Sequence, residues 1–344
     1  MPLIDPFEIE PLGEMKNRIV MSAMTRNFSP DHVATEKTVN YYEARAAGGA
    51  ALILTEGIIV HSTADGYVDV PHIQTTEQAQ SWRPVVDAVH RAGAKIFCQL
   101  WHCGRISHSD FTGGVPPVSS TNQAAAGMNR QNGKPFGTPR ALGAEEMPDI
   151  YSMFAHSARL ALDAGFDGVQ VHMGHGYLVD QFFDARVNDR TDRYGGTVEN
   201  RCRFALELLE CVLAAVPKEK VMVRISPSRD MGGIYDWPDL EEMIGHLLPA
   251  FRGMGLRMLD ISCAAADYFA TSGRVVRMAR PLWPSCLIGG ASLTRAQAEG
   301  EVESGLLDLV TWGRSFIANP DFGARLADGR PVKEFDRAML ADLI

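Results

Sequence analysis

The sequence predicts a closed (β/α)8 barrel, a TIM barrel in which parallel strands are joined by crossover helices. Three observations predict it. The chain of 344 residues carries eight short, β-rich apolar runs in order: "RIVMSAM", "AALILTEG", "KIFCQLWH", "GVQVHMG", "VMVRISP", "MLDISC", "CLIGG" and "DLVTWGR". Segments of helical periodicity separate most of them, as in a parallel sheet built from strand–helix units. No G-x-G-x-x-G follows the first run, which weakens the case for an open dinucleotide-binding sheet, and eight units exceed the strand number usual for one. A single domain spanning residues 1–344 is expected.

The connecting elements follow in order. Residues 77–93 read as an amphipathic helix ending at Gly93, and residues 145–164 as a second with an acidic first turn and Gly165 as its stop. Residues 197–216 start from a Thr197 cap and end before Pro217; residues 238–254 end near Gly255; residues 292–304 begin at Ser292 and stop at Gly305. One segment breaks the rhythm. Residues 105–144 are rich in Gly, Pro, Ser and Asn and too long for an ordinary connection, so an excursion after the third strand, forming a lid, is expected.

Composition narrows the partners. With 33 Lys and Arg against 42 Asp and Glu, the formal charge is −9, which argues against a polyanion-binding surface and hence against nucleic acid, while leaving room for a local basic pocket that takes one phosphate. No apolar stretch approaches the length of a membrane span. The opening "MPLIDPFEIEPLGEM" carries acids where a signal peptide carries lysine or arginine, so a cytoplasmic location without membrane attachment is expected. Cys98, Cys103, Cys202, Cys211, Cys263 and Cys286 include no C-x-x-C pair, which suits reduced core thiols better than a disulfide frame or a cluster.

Barrel active sites form at the C-terminal ends of the strands, so the residues just after each run matter most. Gathered there are Thr25 after the first run, Gly57 after the second, Gln99 and Trp101 at the third, and His172, His175 and Tyr177 at the fourth. Arg224 lies at the fifth, Gly289 and Gly290 at the seventh, Gly313 and Arg314 at the eighth. The H-x-x-H pair invites a metal site, but the later strand ends offer arginine and glycine where a third ligand and an activating carboxylate are needed. A Schiff-base aldolase needs a lysine at this face. Lys95 and Lys220 lie at strand starts, the wrong mouth of the barrel. What the set does suit is a planar, phosphate-bearing cofactor: glycine-rich turns let backbone N–H groups approach a phosphate, and Arg314 supplies charge-assisted hydrogen bonds.

At this point the chain resembles the Old Yellow Enzymes, FMN-dependent ene-reductases built on this barrel. The resemblance runs through "NRIVMSAMTR", "TEG", "QLWHCGR", "TPRAL", "HMGHGYLVDQFFDARVNDRTDRYGGTVENR", "VRISP" and "WGRSFIANPDF". It implies that Ala23, Met24 and Thr25 border the flavin, that Gln99 holds its pyrimidine edge, and that Arg224 lies near N1 and the C2 carbonyl, where reduction places negative charge. Gly290, Gly313 and Arg314 would hold the phosphate, with Gly57 and Ala291 completing the cofactor set. His172 and His175 would grip a substrate oxygen, Tyr177 would protonate the α-carbon, and Tyr67 and Trp101 would wall the pocket. The implied reaction is ping-pong reduction of an activated C=C bond in enones, maleimides or nitro compounds, with NADPH or NADH as reductant. The alternative oxidants are quinones, nitrate esters and nitroaromatics; a dienoyl-CoA reductase is disfavoured because no clustered cysteines are present. A homo-oligomer is compatible with the resemblance. Two departures stand out: "SAM" replaces a proline-containing turn before Thr25, and the terminal "DGRPVKEFDRAMLADLI" lacks the aromatic tail that often closes the pocket.

Overall fold

Period-two alternation within each apolar run sends one set of side chains into a barrel and the other outward against helices. The computed structural model of the protein describes residues 3–230, 232–264 and 266–344. Its barrel strands are β1 (Ile19–Met21), β2 (Leu52–Ile59), β3 (Lys95–Trp101), β4 (Gly168–His172), β5 (Val221–Ile225), β6 (Met258–Ile261), β7 (Cys286–Gly290) and β8 (Leu309–Trp312). All eight are parallel, pair with their sequence neighbours, and close through β8 on β1. On β4, Val169 and Val171 face the helical shell, while Gln170 faces its register partners Gln99 and Met222 inside.

The barrel's lower interior is apolar. Val20, Leu52, Leu54, Phe97, Met222, Met258, Ile288 and Leu309 form one buried cluster with Leu12 and Met15. Leu12 and Met15 belong to an antiparallel hairpin, Phe7–Ile9 with Gly13–Met15, which plugs the N-terminal mouth. Closing that end leaves the C-terminal face as the open one.

Outside the barrel lie α1 (Glu36–Ala47), α2 (Thr76–Ser81), α3 (Arg83–Arg91), α4 (Met147–Asp163), α5 (Leu178–Phe183), α6 (Val198–Ala215), α7 (Leu240–Gly253), α8 (Ser272–Ala279), α9 (Arg295–Glu303), α10 (Arg314–Ala318) and α11 (Phe322–Asp328). The expected helix at 77–93 is in fact two, split at the fully buried Trp82. Pro84 explains the break: it has no N–H to donate and its ring crowds the preceding turn. The helix expected from Ser292 begins later, capped by Thr294, whose hydroxyl accepts from the Gln297 N–H while the Gln297 side chain returns the bond. Ser292 is otherwise engaged, its Oγ accepting from the Tyr268 N–H at 2.8 Å. Thr197 caps α6 as expected.

Residues 105–144 do form an excursion, with a short parallel pair, Val118–Ser119 with Arg140–Ala141, and a hairpin, Met128–Asn129 with Lys134–Pro135. Ser119 and Ser120 fasten it to Gln181 of α5, and Asn129 donates to the Gly66 carbonyl. Among the described residues no helix is long and apolar enough to cross a membrane, and all six cysteines are free.

Candidate active site

The turn after β4 is shaped by its glycines and by buried anchors. A Cβ on Gly174 would meet Ser226 Oγ at 2.6 Å, so only glycine lets the chain pass the end of β5 there. His175 (φ +58°) and Gly176 (φ +78°) are left-handed, which reverses the chain and returns Tyr177 to the rim. Ser226 Oγ accepts from the His175 N–H at 2.5 Å. Asp180, buried at the start of α5, accepts from the Gly176 N–H, from Arg229 Nη1 and from Trp237 Nε1, each at 2.5 Å. One carboxylate thus ties the turn to the loops after β5.

The turn brings three side chains together. His172 Nε2 and His175 Nδ1 are 3.4 Å apart, and the His172 and Tyr177 rings are 5.4 Å apart. Trp101 meets Tyr177 edge-on at 4.8 Å, and Tyr67 lies 4.8 Å from Trp101 with its hydroxyl 2.7 Å from that of Tyr177. The Tyr67 loop is itself held: Asp65 Oδ1 accepts from the Gly66 and Tyr67 N–H groups while Oδ2 pairs with His72 Nε2 at 2.7 Å.

Electrostatics fix the protonation states. Burial, reinforced by the positive charge of Arg224, holds both imidazoles well below their ordinary value, so His172 and His175 are neutral in the physiological range. Burial also pushes the Tyr177 phenol well above its usual value, with Tyr67 adding to the rise, and it pushes Tyr67 up to about 12. His172 Nδ1 is buried with no hydrogen-bond partner. Arg224 donates from Nη2 to Ser262 Oγ at 2.7 Å and to Ser22 Oγ at 3.2 Å, and its Nε stands 3.5 Å from Asp260.

These groups border a cavity of about 540 Å³, within the usual range of about 300–1,000 Å³ for cofactor and ligand sites. Ala23, Met24 and Thr25 line it from the end of β1; Gln99 and Trp101 from β3; His172, His175 and Tyr177 from the β4 turn; and Arg224 from β5. Ala291, Gly313 and Arg314 line it from the ends of β7 and β8, which lie across the closed barrel from β3 and β4. Four residues singled out from the sequence are elsewhere, Gly289 among them, inside β7. Gly57 lies within β2, not after it, and its missing Cβ makes room for the Trp101 indole, which would stand 2.4 Å from that atom. Gly290 ends β7 at φ +133°, with the Thr311 carbonyl 2.7 Å from where a Cβ would be. Tyr67 touches the cavity's wall through Tyr177 and does not itself line it. The excursion at 105–144 supplies no wall residue.

Ser22, Ala264 and Ser292 line the cavity without having been expected there, and Asp180, Gln170 and Asp260 support it from behind. Polar residues inside otherwise apolar runs, the Gln of "GVQVH" and the Asp of "MLDIS", were the available signal. At the C-terminal end, Arg26 Nη2 donates to the Asp342 carbonyl at 2.6 Å, and the Arg314 guanidinium stands 5.3 Å from the Phe335 ring. The tail that lacks the expected aromatic motif therefore still packs beside the site.

The cavity suits a flavin mononucleotide. Gln99 and Arg224 offer an amide and a cation to one edge of a planar ring, and the backbone at Ala291 (φ +99°) and Gly313, with Arg314, offers donors to a phosphate across the barrel. This is the layout of a flavin-dependent oxidoreductase barrel. The chain belongs to the NADH:flavin oxidoreductase / NADH oxidase family, whose model matches residues 2–333, and within it to the Old Yellow Enzymes. It is 35% identical over 345 residues to 12-oxophytodienoate reductase 2 of Arabidopsis thaliana, covering 98% of this chain and 91% of the relative. The Old Yellow Enzyme homologue of Zymomonas mobilis superposes with a TM-score of 0.91 at 33% identity, covering 99% of this chain and 96% of that one. Morphinone reductase in complex with tetrahydroNAD superposes with a TM-score of 0.89 at 33% identity, covering 99% and 94%. The protein is an NAD(P)H-dependent oxidoreductase with FMN as its cofactor.

Proposed function

We propose that the protein reduces the activated C=C bond of α,β-unsaturated carbonyl compounds. The observation that carries this reading is the convergence of two neutral imidazoles and one protonated phenol on a single cavity. FMN, held by Gln99, Arg224, Ala291, Gly313 and Arg314, would supply the hydride transfer that links NAD(P)H to the substrate. An oxygen within hydrogen-bond distance of both His172 Nε2 and His175 Nδ1 accepts from the two N–H groups, which polarises the conjugated alkene and stabilises the negative charge arriving on that oxygen. Neutral donors suit this role, because they stabilise developing charge without a proton leaving the protein. Tyr177, protonated and beside His172, then delivers a proton to the α-carbon as general acid. Trp101 and Tyr67 hold the phenol in place from the side and behind. The similarity to a 12-oxophytodienoate reductase and a morphinone reductase supports a cyclic enone as the substrate class.

The test is an anaerobic visible spectrum taken before NADPH, after it, and after 2-cyclohexenone. Flavin bands that bleach with NADPH and return with the enone support the proposal; bands that bleach and stay bleached move the oxidant to quinones, nitrate esters or nitroaromatics. His172→Ala with His175→Ala should keep FMN bound yet slow the return by about 10²–10³-fold. An unchanged rate would remove the imidazoles from the oxygen-binding role.

A further inference from the structure

Four polar side chains enter the barrel interior from apolar strands: Gln99 on β3, Gln170 on β4, Arg224 on β5 and Asp260 on β6. The strand register sets Gln170 opposite Gln99, and Arg224 opposite Asp260. They form one connected chain. Gln99 Nε2 donates to Gln170 Oε1 at 2.7 Å, Gln170 Nε2 donates to Asp260 Oδ2 at 3.0 Å, and Arg224 Nε stands 3.5 Å from the same oxygen. Gln99 and Arg224 line the cavity, whereas Gln170 and Asp260 lie behind it, 0% and 1% exposed.

We propose that Asp260 is a positioning residue for the cofactor: it sets, through Gln170, which atom of Gln99 faces the cavity, and it offsets the charge that Arg224 presents there. The inference rests on the reading that Gln99 and Arg224 border the flavin's pyrimidine edge.

Hydrogen-bond polarity gives the chain its direction. An ionised carboxylate only accepts, so Gln170 must turn its amino group toward Asp260 and its carbonyl toward Gln99. A carbonyl also only accepts, so Gln99 must turn its own amino group toward Gln170, leaving Oε1 as the acceptor for the cavity. A pyrimidinedione edge offers an N–H between two carbonyls, the complement of an amide presented with its oxygen fixed. Burial pushes the Asp260 carboxyl up, and the Arg224 charge and the Gln170 hydrogen bond oppose that shift. The charge that draws electrons toward the flavin is thus the one that favours the carboxylate form on which the chain's direction depends.

The two roles separate by mutation. Asp260→Asn removes a negative charge while Asn Oδ1 can still accept from Gln170. The holoenzyme should then favour reduced FMN by tenfold or more in the two-electron equilibrium, a rise of about 30 mV in midpoint potential against a reference dye. Gln170→Met leaves the Asp260 carboxyl in place beside Arg224 but removes the link to Gln99; FMN should dissociate fivefold or more readily from diluted holoenzyme, with the reduction equilibrium moving less than threefold. A purely structural role for Asp260 would leave the potential unmoved. An unchanged potential in Asp260→Asn, or undiminished FMN retention in Gln170→Met, overturns the proposal. Gln99→Leu separates the two levels: if it retains FMN like the wild type, the placement of the pyrimidine edge fails and the inference with it; if it releases FMN while Asp260→Asn keeps the wild-type potential, only the role of Asp260 fails.

Discussion

The hydroxyls of Tyr67 and Tyr177 lie 2.7 Å apart, brought together from the loop after β2 and the turn after β4. Both side chains are half-buried, and desolvation raises both phenols and holds them protonated. In the proposed reaction Tyr177 gives up its proton, and Tyr67 is the group placed to donate to the oxygen left behind. Tyr177→Phe should slow enone turnover by about 10²-fold or more, and quinone turnover far less, since quinone oxygens can take protons from water. Tyr67→Phe should slow enone turnover by about tenfold, the worth of one hydrogen bond to a charged oxygen. Stopped-flow reoxidation by an enone and by a quinone checks both, and equal losses with the two oxidants would remove Tyr177 from proton donation.

Asp180 joins the β4 turn to Arg229 and Trp237, so its removal takes the carboxylate away from a buried arginine and leaves the turn without its main anchor. Asp180→Ala should cost about 3–5 kcal/mol of stability. Asp180→Asn, which keeps the acceptor oxygen but not the charge, should cost less and should depress enone turnover more than FMN binding, because His175 and Tyr177 lie closer to the loosened turn than does the phosphate end. Urea unfolding and steady-state kinetics measure the two effects.

Gly57→Ala places a methyl group 2.4 Å from a Trp101 ring atom. The indole must move, and it packs edge-on against Tyr177. A stability loss of about 1–3 kcal/mol is expected, with slower enone turnover, although residue 57 does not reach the cavity. A variant that matches the wild type in both would show that the strand itself yields.

Glu56 sets a pH dependence of stability. Fully buried, and accepting from the Arg26 N–H at 3.1 Å, its carboxyl is pushed up to about 7 by desolvation. Because the folded-state value is raised, its contribution is complete below the unfolded value of about 4.5 and is lost as pH rises through 7: over that window the unfolded chain has released a proton that the folded chain keeps. The loss amounts to about 3 kcal/mol. Glu56→Gln should therefore unfold at a higher temperature than the wild type at pH 8 and close to it at pH 5; parallel curves at both pH values would contradict the assignment.

The strands were legible because each is a short, near-continuous apolar run bounded by turns, buried on both faces as a parallel barrel strand is; the eight runs correspond to the eight barrel strands. Helix 77–93 was misread because amphipathic spacing continues straight through Trp82, while the Pro84 that interrupts it acts through a backbone clash that periodicity does not register. Gly57 looked like a strand-end glycine, yet its smallness answers to Trp101, a partner 44 positions away in sequence that only the register of β2 against β3 brings close. Asp180 and Asp260 escaped notice because their work is done one layer behind the cavity, where position along the chain says little about which group they face.

The left-handed backbone at His175 also limits what the site can become. Few side chains other than glycine tolerate that conformation, with asparagine, aspartate and histidine the most accommodating and β-branched residues excluded. Of these, only asparagine and a neutral histidine carry an uncharged N–H donor at the tip. A library randomised at this codon should therefore return a narrow repertoire of well-folded, enone-active clones, its breadth set by a torsion angle before any substrate exerts selection.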